Sequence, residues 1–272
     1  MSEFDWRDPL SLSEQLGDEE KLIQRTASQF AQSDLASRLQ DASDKEGLGR
    51  EGYEAIGQAG LFGVTLPRDF GGAGASFTSY GLIAREVERI DSGFRSILSV
   101  QSSLVMYPIF KFGSDWQKYS YLKKLAKGEL IGCFGLTEAD AGSDPARIRT
   151  TAVKTATGYR LNGTKTWISN ASIADIFIIW AKYEADGGKI RGFIVERGAK
   201  GLQTVKIDGK LSMQSVDTGS IYLNDVDVAE TAILPEVAGL KGPFSCLNLA
   251  RYGICWGVMG AAEDCWFRSH QY

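Results

Sequence analysis

The sequence predicts an α+β chain of several domains: a helical N-terminal domain over residues 1–130, a middle antiparallel β-domain of sandwich or barrel type over 131–240, and a helix over 241–272. Three observations carry this. Apolar residues recur at helical spacing through the first 130 residues. After Gly128 they give way to short apolar runs separated by turn residues, and from Pro243 helical spacing returns.

In chain order, Glu19 to Leu39 carries Leu22, Ile23, Ala27, Phe30, Ala31 and Leu35 near helical spacing. Glu51 to Ala59 repeats the pattern and reaches Gly60, a helix-ending residue. The Gly-rich PRDFGGAG, residues 67–74, is a loop. Helices follow over Ser79 to Ile90, Ser102 to Phe112 and Gln117 to Ala126, the last with Ser114 or Asp115 as N-cap. Ile131 to Thr137 opens the β region. Thr151 to Val153 comes next, and Asn162-Gly163 predicts a hairpin turn between Tyr159–Leu161 and Thr164–Ile168. Ile176 to Lys182, Ile190 to Glu196, Leu202 to Ile207 and Ser220 to Val226 complete a run of about seven strands. The final helix carries apolar residues on nearly every face, which predicts burial all round.

Composition narrows the function. With 43% hydrophobic and 24% charged residues, the 272-residue chain reads as an ordinary globular protein. No apolar run is long enough to span a membrane, and the acidic N-terminus is neither a secretory signal nor a basic transit peptide. The net charge of −4, with no basic face, argues against nucleic acid. Cys133, Cys246, Cys255 and Cys265 form no CxxC pair and lie among apolar residues, so buried free thiols are expected. The lone histidine, His270, argues against His-rich metal sites and His-dependent triads.

Gly132 to Pro145 reads GCFGLTEADAGSDP. Glu138, Asp140 and Asp144 lack the spacing of a calcium loop, because the twelfth position counted from Glu138 is Arg149. No Gly-Lys-Ser/Thr follows, and no GxGxxG occurs anywhere, so P-loop and Rossmann sites are excluded. Two readings stay open. One is a strand that ends in a capped turn. The other is a strand end whose backbone amides and hydroxyls line a phosphate or a flat ring system.

Together with GTKTWISN, residues 163–170, this stretch closely resembles the flavin-binding signature of acyl-CoA dehydrogenases, and the likeness runs along the whole chain. Within that family the chain looks most similar to glutaryl-CoA dehydrogenases, on residues 88–96 (ERIDSGFRS), 99–106 (SVQSSLVM) and 243–257 (PFSCLNLARYGICWG). The resemblance implies an α-helical domain, a β-domain and a C-terminal helical bundle, with FAD between the last two. It places Phe134, Leu136 and Thr137 along the isoalloxazine, Gly142 and Ser143 near the phosphates or the thioester chain, and Trp167, Ile168 and Ser169 on the ring's other side. It assigns Arg95 and Ser96 to the distal carboxylate of a dicarboxylic acyl chain, with Glu88 ordering that end. A monocarboxylic chain would then leave Arg95 unpaired. The plain alternative for Arg95 is a helix-surface cation paired with Asp91. Phe244, Leu247, Asn248 and Arg251 would line the acyl-CoA tunnel.

The implied reaction is FAD-dependent α,β-dehydrogenation of glutaryl-CoA with loss of CO₂ to crotonyl-CoA, and electron-transfer flavoprotein is the implied acceptor. Other implied readings are a dehydrogenase of another chain-length class and a non-catalytic acyl-CoA- or protein-binding relative. The family's glutamate base lies in a bundle segment this sequence lacks, and a minority position for it is Ala250 here. The sequence therefore reads as lacking most of the bundle, with no catalytic base of its own and no turnover alone. Ala139 and Gln214 also depart from the family's usual proline and arginine. A homo-oligomer, a tetramer in the family, and a bacterial cytoplasmic location are expected, or the mitochondrial matrix for a processed eukaryotic chain.

Overall fold

The computed structural model describes Asp8 and residues 11–272; the rest of the acidic N-terminus read above lies outside the described residues. Helix α1 (Asp18–Phe30) continues through a π-helical stretch, Ala31–Leu35, into α2 (Ala36–Asp44), with Ala27, Ala31, Leu35 and Ala42 buried. Helix α3 (Gly49–Gln58) ends with Gly60 at φ 71, a left-handed conformation that glycine adopts without steric cost. Helix α4 (Phe77–Glu88) starts at Ser76, whose hydroxyl accepts from the Ser79 amide at 3.1 Å. Asp91 caps α5 (Ser92–Ser99), which runs through a π-helical segment, Val100–Met106, into α6 (Tyr107–Phe112). Helix α7 (Asp115–Ala126) is capped reciprocally: the Ser114 amide donates to Gln117 Oε1 at 2.8 Å and the Gln117 amide to Ser114 Oγ at 3.3 Å.

The middle of the chain is one seven-stranded sheet. Its strands are β1 (Gly132–Gly135), β2 (Thr151–Lys154), β3 (Gly158–Ser169), β4 (Ile176–Tyr183), β5 (Lys189–Glu196), β6 (Leu202–Lys206) and β7 (Thr218–Ala229). Two pairings are parallel. β1 runs beside the first half of β4 and β2 beside the end of the same edge, while β5 pairs the opposite edge antiparallel. β3 and β7 then β6 extend the sheet antiparallel from β2. Residues Ile176 to Ala181 are all buried, because β4 separates two cores. Ile176, Ile178 and Trp180 join the core shared with the helices. Phe177, Ile179 and Ala181 join a second core built from Leu161, Phe193, Val195, Ile221 and Val226 of the sheet itself.

Asn162-Gly163 is not a hairpin turn. β3 passes straight through it, with a register shift against β7 between Leu161 and Gly163. The turn signal is absorbed by a bulge. Gly163 sits at φ 150, where a Cβ would come 2.4 Å from Thr150 Oγ1. The Asn162 amide reaches across to β7, donating to Asp225 Oδ1 at 3.0 Å and accepting from the Asp225 amide at 2.8 Å.

Helix α8 (Lys241–Gln271) packs along α4, α5 and the Val100–Met106 segment. It is not buried all round. Its seated face is a stripe of small residues, Cys246, Ala250, Gly253, Gly257 and Gly260, at alternating spacings of four and three. Ile254, Val258, Met259 and Trp266 are exposed, at 40% to 55% of their surface. The thiol expectation is corrected likewise. Cys133 and Cys246 are buried, but Cys255 and Cys265 are exposed, because they lie off the small-residue stripe. At the far end of the stripe Glu263 takes Arg85 Nε of α4 at 3.0 Å and Nη1 of Arg89, the residue just after α4, at 3.3 Å.

The stripe makes a specific demand at Gly260. A Cβ there would lie 2.0 Å from the Arg85 carbonyl oxygen, a backbone atom that cannot swing aside. Glycine to alanine inside a helix ordinarily stabilises by about 1 kcal/mol. Gly260→Ala is expected instead to destabilise by about 1–3 kcal/mol, read as a lower urea midpoint. Unchanged or raised stability would show that α8 does not seat on α4 this closely.

Candidate functional site

The end of β1, the end of β3, the Val100–Met106 segment and the start of α8 enclose a cleft of about 300 Å³. One wall rises from the stretch after β1. Phe134 and Leu136 are buried in it, with Thr137 beside them at the rim. Gly142 and Ser143 continue that wall, and a Cβ at Gly142 would meet nothing within 4 Å, so the backbone there is open to a ligand. A second wall comes from Trp167, Ile168 and Ser169. Trp167 has φ 58 and is 63% exposed. It falls in a register break of β3 against β7 between Lys165 and Ile168, so the bulge turns the indole outward while its neighbours stay in the sheet. A left-handed backbone on a bulky residue costs of order 1 kcal/mol, and such conformations cluster at ligand sites. Phe244, Leu247 and Arg251 of α8 face these walls.

All eight residues expected along the flavin therefore line one cleft, together with three of those expected to meet the acyl-CoA. Asn248 does not line it; its side chain accepts from Arg251 Nη1 at 3.1 Å on the exposed side of α8. Glu88, Arg95 and Ser96 also lie outside the lining. Arg95 is buried under α8, where its Nε donates to Glu88 Oε2 at 2.7 Å. A Cβ at Gly257 would touch both partners, so the glycine is what admits the pair beneath α8. This corrects two expectations. Arg95 is not a surface cation held by Asp91, whose carboxylate instead caps α5 and accepts from Ser215 Oγ. A monocarboxylic acyl chain would not leave Arg95 unpaired either, because Glu88 already neutralises it.

Sequence reasoning missed two parts of the site. Val100 and Leu104 line the cleft from the π-helical segment, and a π turn carries no residue signature that periodicity detects. The second is the fully buried Lys165, whose Nζ donates to Glu138 Oε1 at 2.8 Å and to the Leu136 carbonyl at 3.1 Å. A signal for it existed, since Lys165 follows Tyr159 and Leu161 at inward-facing alternate positions of β3. Glu138, passed over as a metal ligand, also accepts from the Arg149 amide at 2.6 Å, the Thr150 amide at 3.0 Å and the Thr150 hydroxyl at 2.5 Å. Among the described residues there is no cluster suited to a metal ion. Burial pushes the Glu138 carboxyl up, but the Lys165 ammonium and these donors outweigh it and hold it below its ordinary value.

Comparison with known proteins identifies the family. The profile of the acyl-CoA dehydrogenase N-terminal domain matches residues 17–129, and that of the middle domain matches residues 133–226. The chain belongs to the acyl-CoA dehydrogenase family. An acyl-CoA dehydrogenase of Bacillus subtilis is 34% identical over 248 residues, covering 90% of this chain and 65% of that one. A glutaryl-CoA dehydrogenase of Mycobacterium smegmatis, solved in complex with FADH2, superposes with a TM-score of 0.90 at 40% identity, over 93% of this chain and 65% of that one. Butyryl-CoA dehydrogenase of Megasphaera elsdenii superposes with a TM-score of 0.88 at 31% identity, over 94% of this chain and 69% of that one. The chain thus spans about two thirds of the length of these acyl-CoA dehydrogenases. None of its described helices is long and apolar enough to cross a membrane.

The buried lysine makes the stability of the fold depend on pH. Burial pulls Lys165 down from 10.5 to about 8, against the upward pull of Glu138. Between those values the unfolded chain binds more protons than the folded one, so the Lys165 contribution to stability rises with pH through the window and is lost as pH falls through about 8. Urea unfolding of the parent and Lys165→Met from pH 8 to 10.5 is expected to show the difference shifting in the parent's favour as pH rises. A constant difference would mean that Lys165 titrates at its ordinary value.

Proposed function

We propose that this chain forms the flavin- and acyl-CoA-binding part of an acyl-CoA dehydrogenase whose substrate is glutaryl-CoA. The observation that carries the reading is the single cleft in which the Phe134–Ser143 stretch, Trp167–Ser169 and the start of α8 meet. Its chemistry fits a flavin. Phe134, Leu136, Trp167 and Ile168 offer apolar surface for a flat ring, and the Thr137, Ser143 and Ser169 hydroxyls offer donors at its rim. Bound there, FAD would supply a two-electron acceptor for dehydrogenation of the acyl chain. The chain's own residues bind and orient: Thr137 directs a hydrogen bond into the cleft, the open backbone at Gly142 admits close approach, and Phe244 and Leu247 shut out water from the α8 side.

Glutaryl-CoA is favoured by Arg95. Glu88 engages its Nε, and a guanidinium carries further N–H donors that a distal carboxylate could share. The implied net reaction is α,β-dehydrogenation with loss of CO₂ to give crotonyl-CoA, with electrons leaving through an electron-transfer flavoprotein. No carboxylate lines the cleft among the described residues, and Ala250 on α8 is buried against the helices. The purified chain is therefore expected to bind without turnover, and crotonyl-CoA formation by it would refute that.

Two measurements test the binding claims. Titrated with FAD, the chain is expected to turn yellow and quench flavin fluorescence, with Thr137→Ala weakening Kd about tenfold for one lost hydrogen bond. A chain that takes up no FAD sinks the flavin reading. For the acyl group, Arg95→Met combined with Glu88→Gln leaves no buried carboxylate unpaired. This variant is expected to bind glutaryl-CoA about 10–100-fold more weakly and butyryl-CoA within a few-fold of the parent. Equal losses for both ligands would make Arg95 a structural residue.

A further inference from the structure

We infer that the buried Lys165–Glu138 pair is a positioning device for the cleft: it fixes the backbone on both sides of Thr137 so that this residue faces the ligand. The inference rests on the flavin reading and concerns residues that do not line the cleft themselves.

The sheet creates the need for it. β1 pairs only with β4, and that ladder ends at Gly135–Ile179. The next two residues, Leu136 and Thr137, leave the sheet at the point where they form the cleft wall. A single backbone bond ties Thr137 to a neighbouring strand, from the Thr166 amide to the Thr137 carbonyl at 3.0 Å. Lys165, the residue before Thr166 on β3, supplies the remaining ties. Its Nζ donates to the carbonyl of Leu136, one residue before Thr137, and to the carboxylate of Glu138, one residue after it. Glu138 passes the restraint onward. Its carboxylate accepts from the Arg149 and Thr150 amides and the Thr150 hydroxyl, and its backbone bridges Ala141 at 3.1 and 3.2 Å, just before Gly142 and Ser143. The lysine stem passes close to Gly135, where a Cβ would stand 3.3 Å from Lys165 Cγ.

A well-packed apolar pair of the same volume would serve stability as well or better. It would not give directed hydrogen bonds to a carbonyl and a carboxylate on either side of one residue. The pair's contribution is therefore orientation, and Lys165 and Glu138 act on a ligand only through Thr137 and the Gly142–Ser143 backbone.

The test uses the full chain as parent, Thr137→Ala, the double variant Lys165→Met/Glu138→Gln, and the combination of all three substitutions. Removing both charges together avoids a buried unpaired ion, so the double variant is expected to unfold cooperatively. If that double variant folds poorly, Lys165→Gln/Glu138→Gln, which also removes both charges but keeps polar side chains, should move every readout in the same direction. Without flavin, hydrogen exchange at the Thr166 amide is expected to accelerate in the double variant while amides of β4 stay protected. With FAD, Kd is expected to weaken about tenfold and the visible flavin band to shift. Adding Thr137→Ala to the double variant should cost far less affinity than adding it to the parent. Unchanged Thr166 exchange overturns the positioning claim whether or not FAD binds. FAD affinities that combine additively overturn the route through Thr137. A parent that binds no FAD overturns the flavin reading, and Thr166 exchange then decides the positioning claim alone.

Discussion

Strand β4 has no solvent side, and the rest of the architecture follows from that. Its alternating residues feed two separate cores, one shared with the helices and one enclosed by the sheet. A strand buried on both faces has its register fixed, because a slip of one residue would exchange Trp180 and Ile178 for Ile179 and Phe177. β1 inherits that register through its parallel pairing, and its entry is pinned from the helical side as well. Gln101 accepts from the Gly132 amide at 3.0 Å and donates to the Leu130 and Leu125 carbonyls at 2.7 and 3.0 Å. Asn170 donates to the Gly132 carbonyl at 3.0 Å and is itself held by the Tyr53 hydroxyl at 2.5 Å. The start of β1 is thus fixed by groups from three elements, which is what allows its end to serve as a precise wall.

The two buried ion pairs sit where backbone regularity gives out. Lys165–Glu138 lies where β1 leaves the sheet, and Arg95–Glu88 beneath Gly257 of α8, between the end of α4 and α5. Among the described residues most of the other ion pairs have at least one exposed partner and are worth little. Removing one member of a buried pair leaves an uncompensated charge, so each pair is mutually dependent. That dependence is weak evidence for stability and better evidence for a geometry that has to be held.

Much of the fold was legible because local rules and tertiary fit agreed. Ser114 caps α7, Gly60 ends α3, and Ile176 to Lys182 reads as a buried strand. The misreadings arose where a local signal was overruled from outside. Asn162-Gly163 has the composition of a hairpin turn, but β2 and β7 flank it on both sides, so β3 runs on through it and β7 takes the extra residue at Asn224-Asp225. The last helix read as apolar all round because hydrophobicity gives little weight to glycine. Its seam is made of Gly253, Gly257 and Gly260, and close approach of backbones selects for small size there. Cys255 and Cys265 shared that error, since their exposure depends on which face seats. In the site, most of the lining residues were legible through the family resemblance of residues 132–145 and 163–170, whereas Arg95's ion-pair partner was not. Glu88 and Arg95 lie on different helices, and a turn-by-turn reading along one helix could only offer Asp91.

The cleft's walls come from segments far apart in sequence, and each is held by a different kind of restraint. The Phe134–Ser143 wall is tied through side-chain hydrogen bonds, the Trp167–Ser169 wall through a strained bulge, and the α8 wall through close packing of glycines. The first two walls are joined at their base by the Thr166 amide on the Thr137 carbonyl and by Lys165. A ligand that touched all three would add contacts the protein does not make for itself, and it would stabilise the folded chain in proportion to its own affinity. The strain at Trp167 fits this arrangement, since its left-handed backbone presents a 63% exposed indole to the cleft, where a flat ligand would cover it.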